Sequence, residues 1–140
     1  MFKGEYPYLI DDKKRLAIPA KFRLELGKKA VLTRGLDNCL VIYPLKEWDI
    51  LAGKLESLPS GKLDARGFIR IMLSGAVDVE IDKLGRILIP DRLKEYSFLK
   101  KNVIVIGLSN KIEIWDETRW KEYQGKMEKT VGEMAQQLGI

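Results

Sequence analysis

Nine residues from Asp11 to Pro19, D-D-K-K-R-L-A-I-P, return at Asp82 to Pro90 as D-K-L-G-R-I-L-I-P. Each copy holds an Asp, three loop-like residues, an Arg, an apolar strand ending and a proline. The likeness runs beyond the nine positions. Upstream, Tyr6, Tyr8 and Ile10 alternate with other residues, and Val77, Val79 and Ile81 do so in the second copy. Downstream, Val31, Gly35, Leu36, Asn38, Tyr43 and Trp48 are echoed by Val103, Gly107, Leu108, Asn110, Trp115 and Trp120. A chain built this way is one unit used twice. Two units of about seventy residues are each marginal alone, so they are expected to share a core or lean on neighbouring chains. With 140 residues and 46% hydrophobic side chains there is enough apolar material for that core.

Residues 5–10 alternate as a half-buried strand does, 11–14 form a polar tip, and Leu16 to Ile18 return, so the pair reads as a β-hairpin. In the second copy the tip carries Gly85, which takes a positive φ at little cost. Lys14 holds that place in the first copy, so either it carries strain of about 1 kcal/mol or the turn differs. Pro19 and Pro90 sit where a helix can begin. Ala20 to Leu26 follows, with Gly27 as its stop, and Asp91 to Tyr96 repeats it more weakly. A second hairpin, Ala30–Thr33 with Cys39–Tyr43, is repeated by Asn102–Ile106 with Lys111–Trp115. Trp48, Leu51, Leu55 and Leu58 then make a helical stripe broken by Pro59-Ser60-Gly61, and a further helix covers Lys62 to about Leu73. A longer stripe (Trp120, Tyr123, Met127, Val131, Met134, Leu138) runs down the C-terminal segment and reads as core or subunit interface.

Several chemistries are excluded by what the chain lacks. There is no histidine and one cysteine, Cys39, which removes the usual general base and any zinc site of ordinary composition. Cys39 is read as a small core residue. No phosphate-binding glycine loop and no dinucleotide fingerprint occurs. Asp11 and Asp12 are the one candidate acid–base pair, but adjacent carboxylates in a lysine-rich turn stay ionised and solvated, so the chain is not expected to be an enzyme or to carry a cofactor or metal. No apolar run is long enough to span a bilayer and no apolar targeting segment opens the chain, so a cytoplasmic protein is expected.

Charge is unevenly placed. Residues 1–70 hold 14 Lys and Arg against 9 Asp and Glu, whereas residues 71–140 hold 11 of each. Between residues 13 and 29 seven cations meet one anion, Glu25. That is the footprint of a polyanion-binding face, or simply a solvated surface. The Asp-x-x-x-Arg spacing sharpens the first reading. Across a tight tip the first and fifth residues lie close, so Asp11 can aim Arg15 and Asp82 can aim Arg86. A guanidinium fork suits phosphate oxygens or the O6/N7 edge of guanine, and Lys13, Lys14 and Lys83 add points of positive charge. The competing reading is that each pair only staples its turn, worth at most about 1 kcal/mol when exposed. The neutral second half makes the first loop the expected dominant contact.

The two D-x-x-x-R loops, each running into an apolar strand and a proline, resemble the signature of the MraZ family. The opening M-F-x-G, both Trp-bearing segments and the length extend the resemblance over essentially the whole chain. It implies an α+β fold in which the duplicated β-hairpin–helix–β-hairpin–helix unit forms an AbrB-like swapped-hairpin (double-split) β-barrel with peripheral helices. The implied division is 1–60 for the first repeat, 61–75 for a linking helix, 76–121 for the second repeat and 122–140 for a C-terminal helix. It further implies a bacterial transcriptional repressor of the division and cell-wall gene cluster, nucleoid-associated, binding double-stranded DNA at promoter direct repeats as a homo-oligomeric ring of eight or twelve subunits. By position, the DNA-facing residues are Lys13, Lys14 and Arg15, with Lys83 and Arg86 in the second loop, Asp11 and Asp82 as orienting partners, and Arg23 on the short helix. The rival class is an antitoxin-like protein–protein assembly module without sequence-specific DNA binding.

Overall fold

The computed structural model describes residues 1–140. In chain order, β1 (Phe2–Leu9) and β2 (Arg15–Ala17) lead into α1 (Ala20–Leu26), followed by β3 (Lys29–Arg34), β4 (Leu40–Pro44), α2 (Leu45–Glu56) and α3 (Leu63–Ser74). The second copy supplies β5 (Val77–Glu80), β6 (Arg86–Leu88), α4 (Asp91–Tyr96), β7 (Asn102–Ser109), β8 (Ile112–Asp116) and α5 (Glu117–Gln137). The fold is mixed α+β and its sheets are antiparallel. Pro19 and Pro90 cap α1 and α4 from just outside rather than occupying their first turn.

The first expected hairpin of each copy does not form. Strand β1 meets β2 only at a single bridge, Ile10 to Leu16. It pairs instead with β7 from the other copy, from Phe2 opposite Ser109 to Leu9 opposite Asn102. In the same way β5 pairs with β3, while β2 and β6 pair with each other. The reason is ladder length. A three-residue β2 offers β1 little, whereas β7 matches all eight of its residues and satisfies their backbone groups. The second hairpins form as expected, Val31 opposite Tyr43 and Ile104 opposite Trp115. The result is a six-stranded sheet, β1-β7-β8-β4-β3-β5, and a two-stranded ribbon, β2-β6. Neither copy could be cut out without losing its partner strands.

Side-chain alternation sends the two faces of the central strands into two cores. Leu32, Leu40, Ile42, Val103 and Ile114 join Leu16 and Ile87 of the ribbon and Phe22 and Leu93 of α1 and α4 in the larger one. Phe2 meets Phe22 edge-on at 5.2 Å between ring centres, a geometry worth about 0.5–1.5 kcal/mol beyond area burial. Cys39, Val41, Tyr43, Ile104, Ile106 and Trp115 face the other way and are covered by Trp48 and Leu51 of α2 and by Trp120 and Tyr123 of α5. Cys39 is buried, and burial pushes its thiol well above the usual range, so it is an inert core group.

The carboxylate of Asp116 caps α5 by accepting from the Arg119 N–H at 3.2 Å. Only the first turns of α5 reach the second core. Further along, Val131 is 58% and Leu138 74% exposed, and on α3 Phe68, Ile71 and Leu73 are also open. No helix is long and apolar enough to cross a membrane.

Candidate nucleic-acid interface

The ribbon explains where the signature residues go. In β2 and β6, Leu16 and Ile87 point inward and are essentially fully buried, so Arg15, Ala17, Arg86 and Leu88 share the outward face. Arg15 lies opposite Leu88 and Ala17 opposite Arg86. The two arginines are therefore diagonal neighbours across the ribbon, within reach of one another for long side chains. Because the strands are antiparallel, the two tips stand at opposite ends of the ribbon.

Both tips use one construction. The Asp11 carboxylate accepts from the backbone N–H of Lys13 and of Arg15, each at 2.9 Å, and from Arg15 Nε at 2.8 Å. Asp82 accepts from the N–H of Leu84 at 2.9 Å and of Arg86 at 2.8 Å, and from Arg86 Nε at 2.9 Å. Each guanidinium is thus fixed through Nε, and its Nη edge makes no bond to protein. Arg15 and Arg86 remain 32% and 27% exposed at the side chain, so the edge is open to a ligand. What the arrangement offers chemically is two aimed planar donors, each beside a carboxylate whose oxygens are already taken up by the turn N–H groups and the guanidinium Nε.

The backbone N–H of Arg15 is the largest influence holding Asp11 below its ordinary value of 3.8, and that of Arg86 acts likewise on Asp82, with the guanidinium bonds adding to each and partial desolvation opposing. A carboxylate depressed in the folded state contributes stability that is present above its ordinary value and is lost as pH falls through the depressed one. The carboxyl carbon signals of Asp11 and Asp82 are therefore expected to titrate below pH 3.8 in an NMR pH series, with the loops intact above it. Midpoints above that value would contradict this description of the tips.

Lys14 takes the left-handed conformation, φ 63°, where Gly85 has φ 79°. The turns are otherwise equal, Lys14 N–H reaching Asp11 O at 3.0 Å and Gly85 N–H reaching Asp82 O at 2.9 Å. The first tip therefore carries the strain of about 1 kcal/mol rather than a different turn. Lys14 Nζ lies 2.7 Å from the Asp91 carboxylate, so this cation is partly neutralised.

Arg23 is not beside the first loop. Its Nε donates to Ile18 O at 2.9 Å, and its guanidinium lies against Gly85 so closely that a Cβ there would fall on it. Each tip is thus clasped by the helix of the other copy, loop 1 by Asp91 of α4 and loop 2 by Arg23 of α1. Gly85→Ala meets both a positive φ and this guanidinium, and is expected to lower unfolding stability by more than 1 kcal/mol, read as a fall in denaturation midpoint. An unchanged midpoint would refute the clasp. Lys13 and Lys83 stand exposed at the two tips. Asp91, expected only as the start of a helix, and Lys28, expected only as part of the basic excess of residues 13–29, also stand at the loops: Lys28 O accepts from Ile81 N–H at 2.9 Å, at the entrance to loop 2. Their signal was the duplication itself, but only with the strand exchange in hand.

Comparison with known proteins gives a consistent outcome. The family model of the MraZ protein, described as antitoxin-like, matches residues 1–71 and again 72–137. The chain is 54% identical over 123 residues to the transcriptional regulator MraZ of Moorella thermoacetica, covering 88% of this chain and 86% of that protein. It is 47% identical over 140 residues to the protein of the same name from Acetivibrio thermocellus, covering 100% and 98%. The regulator MraZ of Halothermothrix orenii is 51% identical and is covered end to end, as is this chain. These relatives carry the name of a regulator and not of an enzyme.

Proposed function

Because this chain belongs to the MraZ family, we propose that it is a transcriptional regulator that binds double-stranded DNA in a sequence-specific way, as a repressor of the division and cell-wall gene cluster. The observation that carries this reading is the outward face of the ribbon, where Arg15 and Arg86 are held by Asp11 and Asp82 with their Nη edges open. A two-stranded ribbon fits a major groove about 12 Å wide, and an aimed guanidinium matches the O6/N7 edge of guanine. Lys13, Lys14, Lys83 and Arg23 supply charge for phosphates, which fixes position without reading sequence.

In this reading the exchange of strands between the copies and the ribbon that spans them are the swapped-hairpin barrel, with repeats at 1–60 and 76–121, a linking helix at 61–75 and a C-terminal helix at 122–140. The apolar stripe of α5 beyond the second core and the open apolar side chains of α3 support a homo-oligomer, a ring of eight or twelve copies. Successive subunits then present their ribbons at regular steps to direct repeats, and linkage raises weak single contacts through effective concentration. The protein acts in the cytoplasm, on the nucleoid.

A gel shift with the promoter fragment upstream of the protein's own gene, against an unrelated fragment of equal length, tests the proposal. Preferential retardation of the promoter fragment supports it. No shift at low salt would favour the rival reading, an antitoxin-like assembly module, to which the same open faces of α3 and α5 also lend themselves.

A further inference from the structure

The two loops have unlike surroundings although their backbones match. Beside loop 2 lies a cavity of about 460 Å³ lined by Arg23, Leu24, Lys28, Asp82 and Lys83 together with glycine backbone. On the other copy a cavity of the same size, about 460 Å³, lies against α4 and holds no residue of loop 1; it is lined by Asp91, Lys94, Glu95, Phe98, Leu99 and Lys100. Ala20 and Leu24 of α1 correspond to Asp91 and Glu95 of α4, so two neutral positions in one helix are acidic in the other. The first cavity has three cations against one carboxylate, and Asp82 is already engaged by Arg86. The second has two cations against two carboxylates, of which Asp91 is engaged by Lys14 and Glu95 is left over. Strand exchange produces this contrast, because it carries the basic helix of the first copy to the loop of the second.

Arg23 is suited to an anion here. Its Nε is spent on Ile18 O, which fixes the plane of the guanidinium against Gly85 and leaves the Nη edge free. Lys28 is anchored next to it through its own backbone carbonyl. Leu24, 96% exposed, forms an uncharged lip where the other copy has Glu95. Resting on the DNA-binding reading above, we propose that the notch formed by Arg23, Lys28 and Lys83 seats one phosphodiester of the DNA backbone. Loop 2 is then the electrostatic anchor of each protomer, and the cavity against α4 at Lys94 and Lys100 seats none.

The measurement is the slope of log binding constant against log salt for the full chain, on the own-promoter fragment and on an unrelated fragment. Lys28→Gln is expected to reduce the magnitude of the slope by about one per engaged protomer and to weaken both fragments by the same factor, since a phosphate contact carries no sequence information. Lys100→Gln is the control and is expected to leave the slope unchanged. An unchanged slope in Lys28→Gln, an equal loss in Lys100→Gln, or weakening confined to the promoter fragment would each overturn the proposal. So would saturable binding of inorganic phosphate that Lys28→Gln removes without moving the DNA slope, which would assign the notch to a free anion. If the wild-type chain shifts neither fragment, it is the DNA-binding reading itself that has failed.

Discussion

Replacing Arg15 with alanine is expected to remove preference for the promoter fragment while leaving residual, sequence-independent binding. The side chain is held by Asp11 through Nε, the N–H of residue 15 and the turn, and it supports nothing in the core. Its loss therefore leaves fold and assembly unchanged, which circular dichroism and light scattering would register. A bidentate arginine–guanine contact carries about 1–3 kcal/mol of discrimination, roughly five- to 150-fold for each protomer that reads a site. Several protomers on tandem sites multiply that loss. Arg86→Ala is expected to act in the same direction, because Arg86 shares the outward face and the same fixation. Asp11→Ala separates aim from charge: the guanidinium stays cationic but is released, so selectivity should fall further than affinity for unrelated DNA. If Arg15→Ala retained wild-type selectivity, the base-reading role of the ribbon would be wrong.

The second large effect is on salt. Each phosphate neutralised by a lysine or arginine releases condensed counterions, so affinity falls with a fixed slope in log salt. With about six phosphates engaged, binding is expected to drop about a thousandfold between 50 and 200 mM salt. The cations available to do this are Lys13, Lys83, Arg23 and Lys28, with Lys14 discounted for its ion pair with Asp91. Affinity nearly flat over that interval would mean that the ribbon does not lie against a phosphate backbone.

Local chemistry accounts for what could be read in advance. The tip of each loop was legible because an Asp four residues before an Arg satisfies its own turn's N–H groups and then meets the guanidinium, all within five residues. The second hairpins were legible because β3 with β4 and β7 with β8 are close in sequence and long enough to pair. The stripe down α5 was legible as a periodicity, and the structure divides it into a part that covers Trp115 and a part that covers nothing.

Duplication, the Asp–Arg tips and the uneven charge were therefore determined by the residues themselves, since each depends on neighbours only a few positions away or on simple counting. Which strands pair was decided only in three dimensions. A short β2 could not hold β1, so the longer ladder to β7 won, and that choice between local and distant partners depends on the whole set of ladders being satisfied together. The exchange moved Arg23 and Lys28, which the sequence groups with the first loop, to the side of the second. It turned a basic half-chain into a basic face at the opposite loop.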